Sequence, residues 1–135
     1  MIVDASVALK WVIDEDGSDA ARRMIVDQTL AAPDLLWIEC ANVLWVKTRR
    51  GQITATDARA AMLAIEAAPV RAIPTSQHAS AAQAIALELD RSAYDSLYLA
   101  VAIAERTTLI TADAAFARAA AAHPVYRGGV RLLGG

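Results

Sequence analysis

The chain has 135 residues, of which 56% are hydrophobic, so it is long and apolar enough for one domain with its own core. Its formal net charge of −2 and isoelectric point of about 5.6 argue against a basic surface that coats nucleic acid, but they allow an enzyme whose acidic site acts on nucleic acid. The mean hydropathy is +0.34, yet no stretch reaches the roughly 18 uncharged apolar residues of a membrane-spanning helix.

The N-terminal residues and the cysteine content bear on location. Asp4 lies early in the chain and no basic segment precedes the first apolar residues, which does not fit a secretory signal. Cys40 is the only cysteine and cannot form an internal disulfide, which is typical of a reducing compartment. We therefore expect one cytoplasmic domain that spans residues 1–135 and does not associate with a membrane.

Apolar residues at strand and helix spacing predict short strands that alternate with helices, the pattern of an α/β protein. Strands are predicted over 2–3, 70–73, 107–111 and 130–133. Helices are predicted over 6–14, 19–28, 35–50, 54–68, 76–89, 95–104 and 114–122. Ala5 and Ser6 are predicted to cap the first helix, and Asp34 the third. Residues 95–104 are apolar on nearly all sides, which predicts a helix buried in the core.

Four acidic residues follow strands or begin helices. Strands separated by helices form parallel sheets with helices on both faces, and ligands bind beyond the carboxyl ends of such strands. Asp4 closes the first strand, and Asp113 lies two residues after the strand that ends at Thr111. Asp95 begins a helix, and Glu39 lies in the first turns of another. We expect the four carboxylates to converge in one crevice.

Convergent carboxylates have a chemical consequence. Two unit charges about 5 Å apart repel by roughly 3 kcal/mol at an effective dielectric constant near 20, so four of them require protons or cations nearby. Oxygen ligands without histidine or cysteine favour Mg²⁺ or Mn²⁺. Such ions lower the pKa of bound water and stabilise a departing phosphate oxygen, so the predicted reaction is phosphodiester hydrolysis.

Each acid also has a simpler interpretation. Asp95 and Asp113 can serve only as helix caps, whereas Glu39 lies in a mostly apolar helix and needs a partner. An acidic pocket can equally hold the arginine or lysine of another protein. A non-catalytic binding module is therefore the alternative to an enzyme.

Other catalytic sites lack essential residues. The chain has no GxGxxG or P-loop element, His78 and His123 are far apart, and no histidine base lies near Ser6. A haloacid-dehalogenase-type phosphatase needs an aspartate two residues after Asp4, where the chain has serine. A receiver domain needs an aspartate at the end of a middle strand, and residues 45–51 read WVKTRRG.

Four segments match motifs of one known family. They are DASVALKW at 4–11, ECAN at 39–42, YDSLYLAVA at 94–102 and LITAD followed by Ala-Ala-Phe at 109–116. In this order, and over nearly the whole chain, they resemble the PIN-domain nucleases and in particular the VapC-type toxins. The resemblance implies an α/β/α sandwich with a short parallel sheet, and a Mg²⁺- or Mn²⁺-dependent endoribonuclease that acts as the toxin of a toxin–antitoxin pair.

The same resemblance implies roles for individual residues. Its catalytic quartet falls on Asp4, Glu39, Asp95 and Asp113. Metal ligands are expected at Asp4, Asp95 and Asp113, with Glu39 as a further ligand or as the residue that orients metal-bound water. Supporting polar positions fall on Ser6, Asn42 and Thr111. Ala114 and Ala115 stand where some relatives carry a further acid.

The resemblance further implies partners. The expected substrate is a structured RNA of the tRNA or rRNA class, and the expected inhibitor is a VapB-type antitoxin whose C-terminal segment covers the active-site groove. A homodimer is expected as well, and apolar side chains at Trp37, Leu44 and Trp45 are candidates for its surface.

Overall fold

Five short strands form one sheet against which seven α-helices pack in the computed structural model, which describes residues 1–135. The strands are β1 (Ile2–Val3), β2 (Leu30–Pro33), β3 (Val70–Ile73), β4 (Leu109–Thr111) and β5 (Val130–Leu132). The helices are α1 (Ala5–Val12), α2 (Ser18–Asp27), α3 (Leu35–Arg49), α4 (Ala55–Ala67), α5 (Ala79–Leu89), α6 (Ala93–Ala104) and α7 (Ala114–Ala122), with a short 3₁₀ helix at Thr75–His78. The predicted α/β class, an α/β/α sandwich with a short parallel sheet, is confirmed.

The strand order defines where a ligand can enter. All strands are parallel in the order β3-β2-β1-β4-β5, so Ile2 pairs with Ala31 on one side and with Leu109 on the other. Starting from β1, the chain adds β2 and then β3 on one side of the sheet, and then β4 and β5 on the other side. This change of direction between β1 and β4 opens a crevice at their carboxyl ends, the usual ligand position in open α/β sheets.

The four predicted strands form, but β2 was not predicted. Its sequence, LAAP, has no β-branched residue and contains two alanines, which are uncommon in strands. All four residues are nevertheless buried, because β2 lies between β1 and β3 and is paired on both sides. The position of the segment in the sheet outweighs its weak local propensity.

The helix predicted to be buried on nearly all sides is α6, and that prediction is confirmed. Every residue from 96 to 102 is buried, and α6 contacts α5 and the three central strands. It belongs to a core of 29 hydrophobic residues that includes most of β1, β2 and β4. None of the helices has the length and apolar character that crossing a membrane requires.

Two predicted caps differ from those observed. Asp4, and not Ala5 or Ser6, caps α1 by accepting a hydrogen bond from the Val7 amide. Asp34 does not bond to the first turn of α3, because its own backbone is already helical; its carboxylate instead accepts hydrogen bonds from the amide and hydroxyl of Thr75. The first difference matters for the site, since it points the Asp4 side chain beyond the end of β1.

Candidate functional site

Asp4 lies at the crevice between β1 and β4, where two hydroxyl groups hold its carboxylate. Ser6 donates to Oδ1 and Thr111 donates to Oδ2. These hydroxyls also accept hydrogen bonds from the chain that leaves β4: the Ala112 amide donates to Ser6 Oγ at 2.9 Å, and the Asp113 amide donates to Thr111 Oγ1 at 3.0 Å. The network fixes the rotamer of Asp4 and joins the ends of the two central strands.

The three other predicted acids reach the same place from separate segments. Asp113 is the N-cap of α7 and accepts a hydrogen bond from the Phe116 amide at 3.0 Å. Asp95 lies in the first turn of α6, where its amide donates to the capping Ser92. Glu39 lies in the second turn of α3, the helix that starts directly after β2.

These acids line one cavity of about 250 Å³. Its lining consists of Asp4, Ala5, Ser6, Leu9, Glu39, Val43, Asp95, Tyr98 and Asp113. We call it the acidic cavity. Thr111 does not line this cavity, but it supports the site through its hydrogen bond to Asp4. Asn42, the remaining predicted polar residue, is exposed. It lines a neighbouring cavity that shares only Glu39 and Val43 with the acidic cavity.

Two of the carboxylates have raised pKa values. Burial raises the pKa of Glu39 from 4.5 to about 7; the Tyr98 hydroxyl acts against this shift, and the charges of Asp95 and Asp4 add to it. Burial also raises the pKa of Asp4, although the hydrogen bonds from Ser6 and Thr111 oppose the change. Acids with shifted pKa values that share a cavity are typical of functional sites, because burying several carboxylates together does not stabilise a fold.

The pKa of Glu39 predicts how the metal-free protein responds to pH. Because the folded-state pKa lies above the unfolded value, folding favours the protonated acid, and stability falls as pH rises from about 4.5 to about 7. Glu39→Gln stays neutral throughout this range. We therefore compare the unfolding midpoints of the variant and the wild type in EDTA. The variant's midpoint is expected to exceed that of the wild type by more at pH 8 than at pH 5. An equal difference at both pH values would contradict the shift.

The chemistry of the acidic cavity suits a hard divalent cation, although its side chains do not form a ready-made metal site. No group of three or more His, Cys, Asp or Glu side chains is close enough to hold one ion. All candidate donors are nevertheless oxygens, as Mg²⁺ and Mn²⁺ prefer, and Glu39 Oε1 is buried without a hydrogen-bond partner. A cation would supply that missing partner and offset the burial that raises both pKa values.

Sequence reasoning missed Tyr98, whose side chain lines the acidic cavity. The signal was available, because residues three apart lie on the same face of a helix and Tyr98 follows Asp95 by three. The apolar surroundings in α6 concealed it, since a tyrosine among leucines and alanines is typical of a core residue. In the fold it is both a core residue and part of the site.

Solved structures share this fold at low sequence identity. PAE2754 from Pyrobaculum aerophilum superposes with a TM-score of 0.74 and 20% identity, over 98% of this chain and 90% of that protein. A toxin–antitoxin complex from Klebsiella pneumoniae gives 0.64 and 19%, over 96% and 94%. VapC20 from Mycobacterium tuberculosis, a sarcin-ricin loop cleaving toxin, gives 0.62 and 15%, over 82% and 86%. No match is found among curated proteins.

A comparison with protein families gives the assignment. Residues 1–122 match the PIN domain, a range that contains β1 to β4, all seven helices and every acid of the cavity. The fold, the strand order and the position of the crevice agree with this match. The chain belongs to the PIN domain family.

Proposed function

We propose that this chain is a single-domain endoribonuclease that depends on Mg²⁺ or Mn²⁺ and acts as the toxin of a toxin–antitoxin pair. The observation that carries the proposal is the arrival of four carboxylates, from four separate segments of a PIN fold, at one cavity beyond the carboxyl ends of β1 and β4. Helix capping alone does not account for it, because Glu39 caps nothing and has a buried oxygen without a partner.

Three aspartates are suited to hold the cation. Asp4 is fixed by its two hydroxyl partners and the Val7 amide, while Asp95 lies in the first turn of α6 and Asp113 caps α7. Each acid can turn an oxygen toward the cavity without leaving its helix. When bound, the cation supplies charge neutralisation for the phosphate and activation of the attacking water.

Glu39 has a different role in the proposal. Its unpartnered Oε1 suits it to accept a hydrogen bond from the attacking water and so to orient that water. The apolar side chains of Leu9 and Val43 border the same cavity and limit the entry of other water molecules. Ser6 and Thr111 keep Asp4 in place throughout, and neither needs to react.

The substrate and partners follow from the structural relatives. A relative of this fold is a toxin that cleaves the sarcin-ricin loop and another is part of a toxin–antitoxin complex, so we propose a structured RNA of the tRNA or rRNA class and a VapB-type antitoxin. With such a substrate, we propose a cytoplasmic location. We further propose a homodimer, for which Trp45 and Ile38 offer exposed apolar surface, whereas Leu44 is buried and does not contribute.

Metal removal and replacement test this proposal. Protein treated with EDTA is expected to leave a labelled tRNA and a sarcin-ricin loop oligonucleotide intact, and added Mg²⁺ or Mn²⁺ is expected to restore internal cleavage. Cleavage that persists in EDTA would contradict the metal dependence. Cleavage only of DNA, or only from RNA ends, would contradict the endoribonuclease.

The alternative is a binding module whose acids hold a basic side chain of a partner, and the absence of a preformed cluster of metal-binding side chains favours it. Mn²⁺ distinguishes the two functions by mass action. At about 100 times its dissociation constant, a bound ion adds about 2.7 kcal/mol to the free energy of unfolding. The enzyme is expected to show a raised unfolding midpoint that Asp95→Asn removes, and the binding module is expected to show no change.

A further inference from the structure

Tyr98 lines the acidic cavity, and its hydroxyl group is buried without a hydrogen-bond partner. The side chain is 1% exposed, so solvent does not satisfy the hydroxyl. A buried polar group without a partner costs about 1–3 kcal/mol, and phenylalanine would avoid that cost at this position. Tyr126 shows the ordinary arrangement, since it is also buried and donates to Glu88 at 2.9 Å.

An acceptor without a partner faces the same cavity. Glu39 Oε1 is buried and makes no hydrogen bond, and Glu39 and Tyr98 lie close enough for the hydroxyl to lower the pKa of the carboxylate. A phenol donates one hydrogen bond and an ionised carboxylate only accepts, so the two groups are complementary. A hydrogen bond between them would satisfy both groups.

The position of Tyr98 on α6 holds its hydroxyl in a fixed place. Tyr98 is three residues after Asp95 and therefore on the same helix face, so one rigid helix carries both an acid of the site and this hydroxyl. Residues on both sides of Tyr98 are buried, which holds the ring in one orientation. Burial and the charges of Glu39 and Asp4 raise the pKa of the phenol, so it remains a donor at neutral pH.

We infer that Tyr98 is a positioning residue, whose hydroxyl donates to the Glu39 carboxylate and holds it toward the cation and the attacking water. This role rests on the proposed function and adds to it a residue outside the acidic quartet. It also explains why a buried hydroxyl is present on the core helix.

Tyr98→Phe tests the inference, with Tyr126→Phe as the matched control that removes a tyrosine hydroxyl outside the acidic cavity. Losing the hydrogen-bond partner of a metal-site residue is expected to weaken Mn²⁺ binding about tenfold. For RNA cleavage we expect a lower kcat with an unchanged KM. Tyr98→Phe should keep the wild-type unfolding midpoint in EDTA or exceed it, because it removes an unpaired group. Tyr126→Phe should bind Mn²⁺ as the wild type does.

A double-mutant cycle on Mn²⁺ dissociation constants separates positioning from a general packing effect. If Tyr98 acts through Glu39, Tyr98→Phe has no further effect in a Glu39→Ala background, because alanine removes the acceptor. An equal loss of affinity in both backgrounds, or wild-type Mn²⁺ binding and kcat in Tyr98→Phe alone, would overturn the inference and leave the proposed function intact. A wild type that neither binds Mn²⁺ nor cleaves RNA would remove both.

Discussion

Asp4→Asn is expected to lower metal-dependent RNA cleavage by about a thousandfold or more, the loss that follows when several kcal/mol of charge stabilisation disappear. Asparagine has nearly the same shape, so its Oδ1 can still accept from Ser6 and from the Val7 amide, whereas its Nδ2 replaces the oxygen that accepts from Thr111. It lacks the negative charge that a divalent cation requires. Cleavage rates of tRNA at saturating Mg²⁺ measure the effect, and relief of toxicity on expression is the corresponding result in cells.

The stability of Asp4→Asn distinguishes a functional charge from a structural one. Burial raises the pKa of Asp4, which means that the ionised form is disfavoured in the metal-free fold. The neutral variant should therefore unfold at the same temperature as the wild type in EDTA, or at a higher one. A large drop in the midpoint would show that the lost cleavage reflects unfolding.

Asp34→Asn is the matched control for this experiment. Asp34 also follows a strand and accepts hydrogen bonds from a threonine, but it does not line the acidic cavity. We expect the variant to cleave RNA at the wild-type rate. If both substitutions reduced cleavage equally, a general effect of charge at the strand ends would explain the result better than a metal site at Asp4.

Leu99→Ala is expected to lower the free energy of unfolding by about 3 kcal/mol, within the range for large-to-small substitutions in cores. Leu99 is fully buried on α6, and the surrounding strands and helices cannot close the cavity that alanine would leave. For a domain of this size the unfolding midpoint should fall by roughly 10 °C. Thermal unfolding in EDTA measures the change without a contribution from metal binding.

Leu87→Ala provides the comparison for Leu99→Ala. It makes the same chemical change on α5, the neighbouring helix, but Leu87 is 79% exposed. We expect its midpoint to stay within a degree or two of the wild type, as for most surface substitutions. Similar midpoints for the two variants would contradict the central position of α6 in the core.

Local sequence patterns predicted most of this fold because the spacing of apolar residues reflects which face of each strand or helix is buried. Alternation between short apolar stretches and helical periods located β1, β3, β4 and β5, and the carboxyl-end rule for parallel sheets then predicted that Asp4 and Asp113 share a crevice. β2 escaped prediction because its alanines carry no strand signal, and only pairing with β1 and β3 makes that segment a strand.

The sequence by itself determined the fold class and predicted which acids share a crevice, since both depend on residue types at short spacing and on four motifs in a fixed order. The tertiary structure alone decided which polar groups share the site. It excluded Asn42 from the lining of the acidic cavity and brought Tyr98 into it. The physical reason is that burial and contact depend on segments far apart in the chain: Glu39, the acceptor proposed for the Tyr98 hydroxyl, lies on α3, 59 residues earlier.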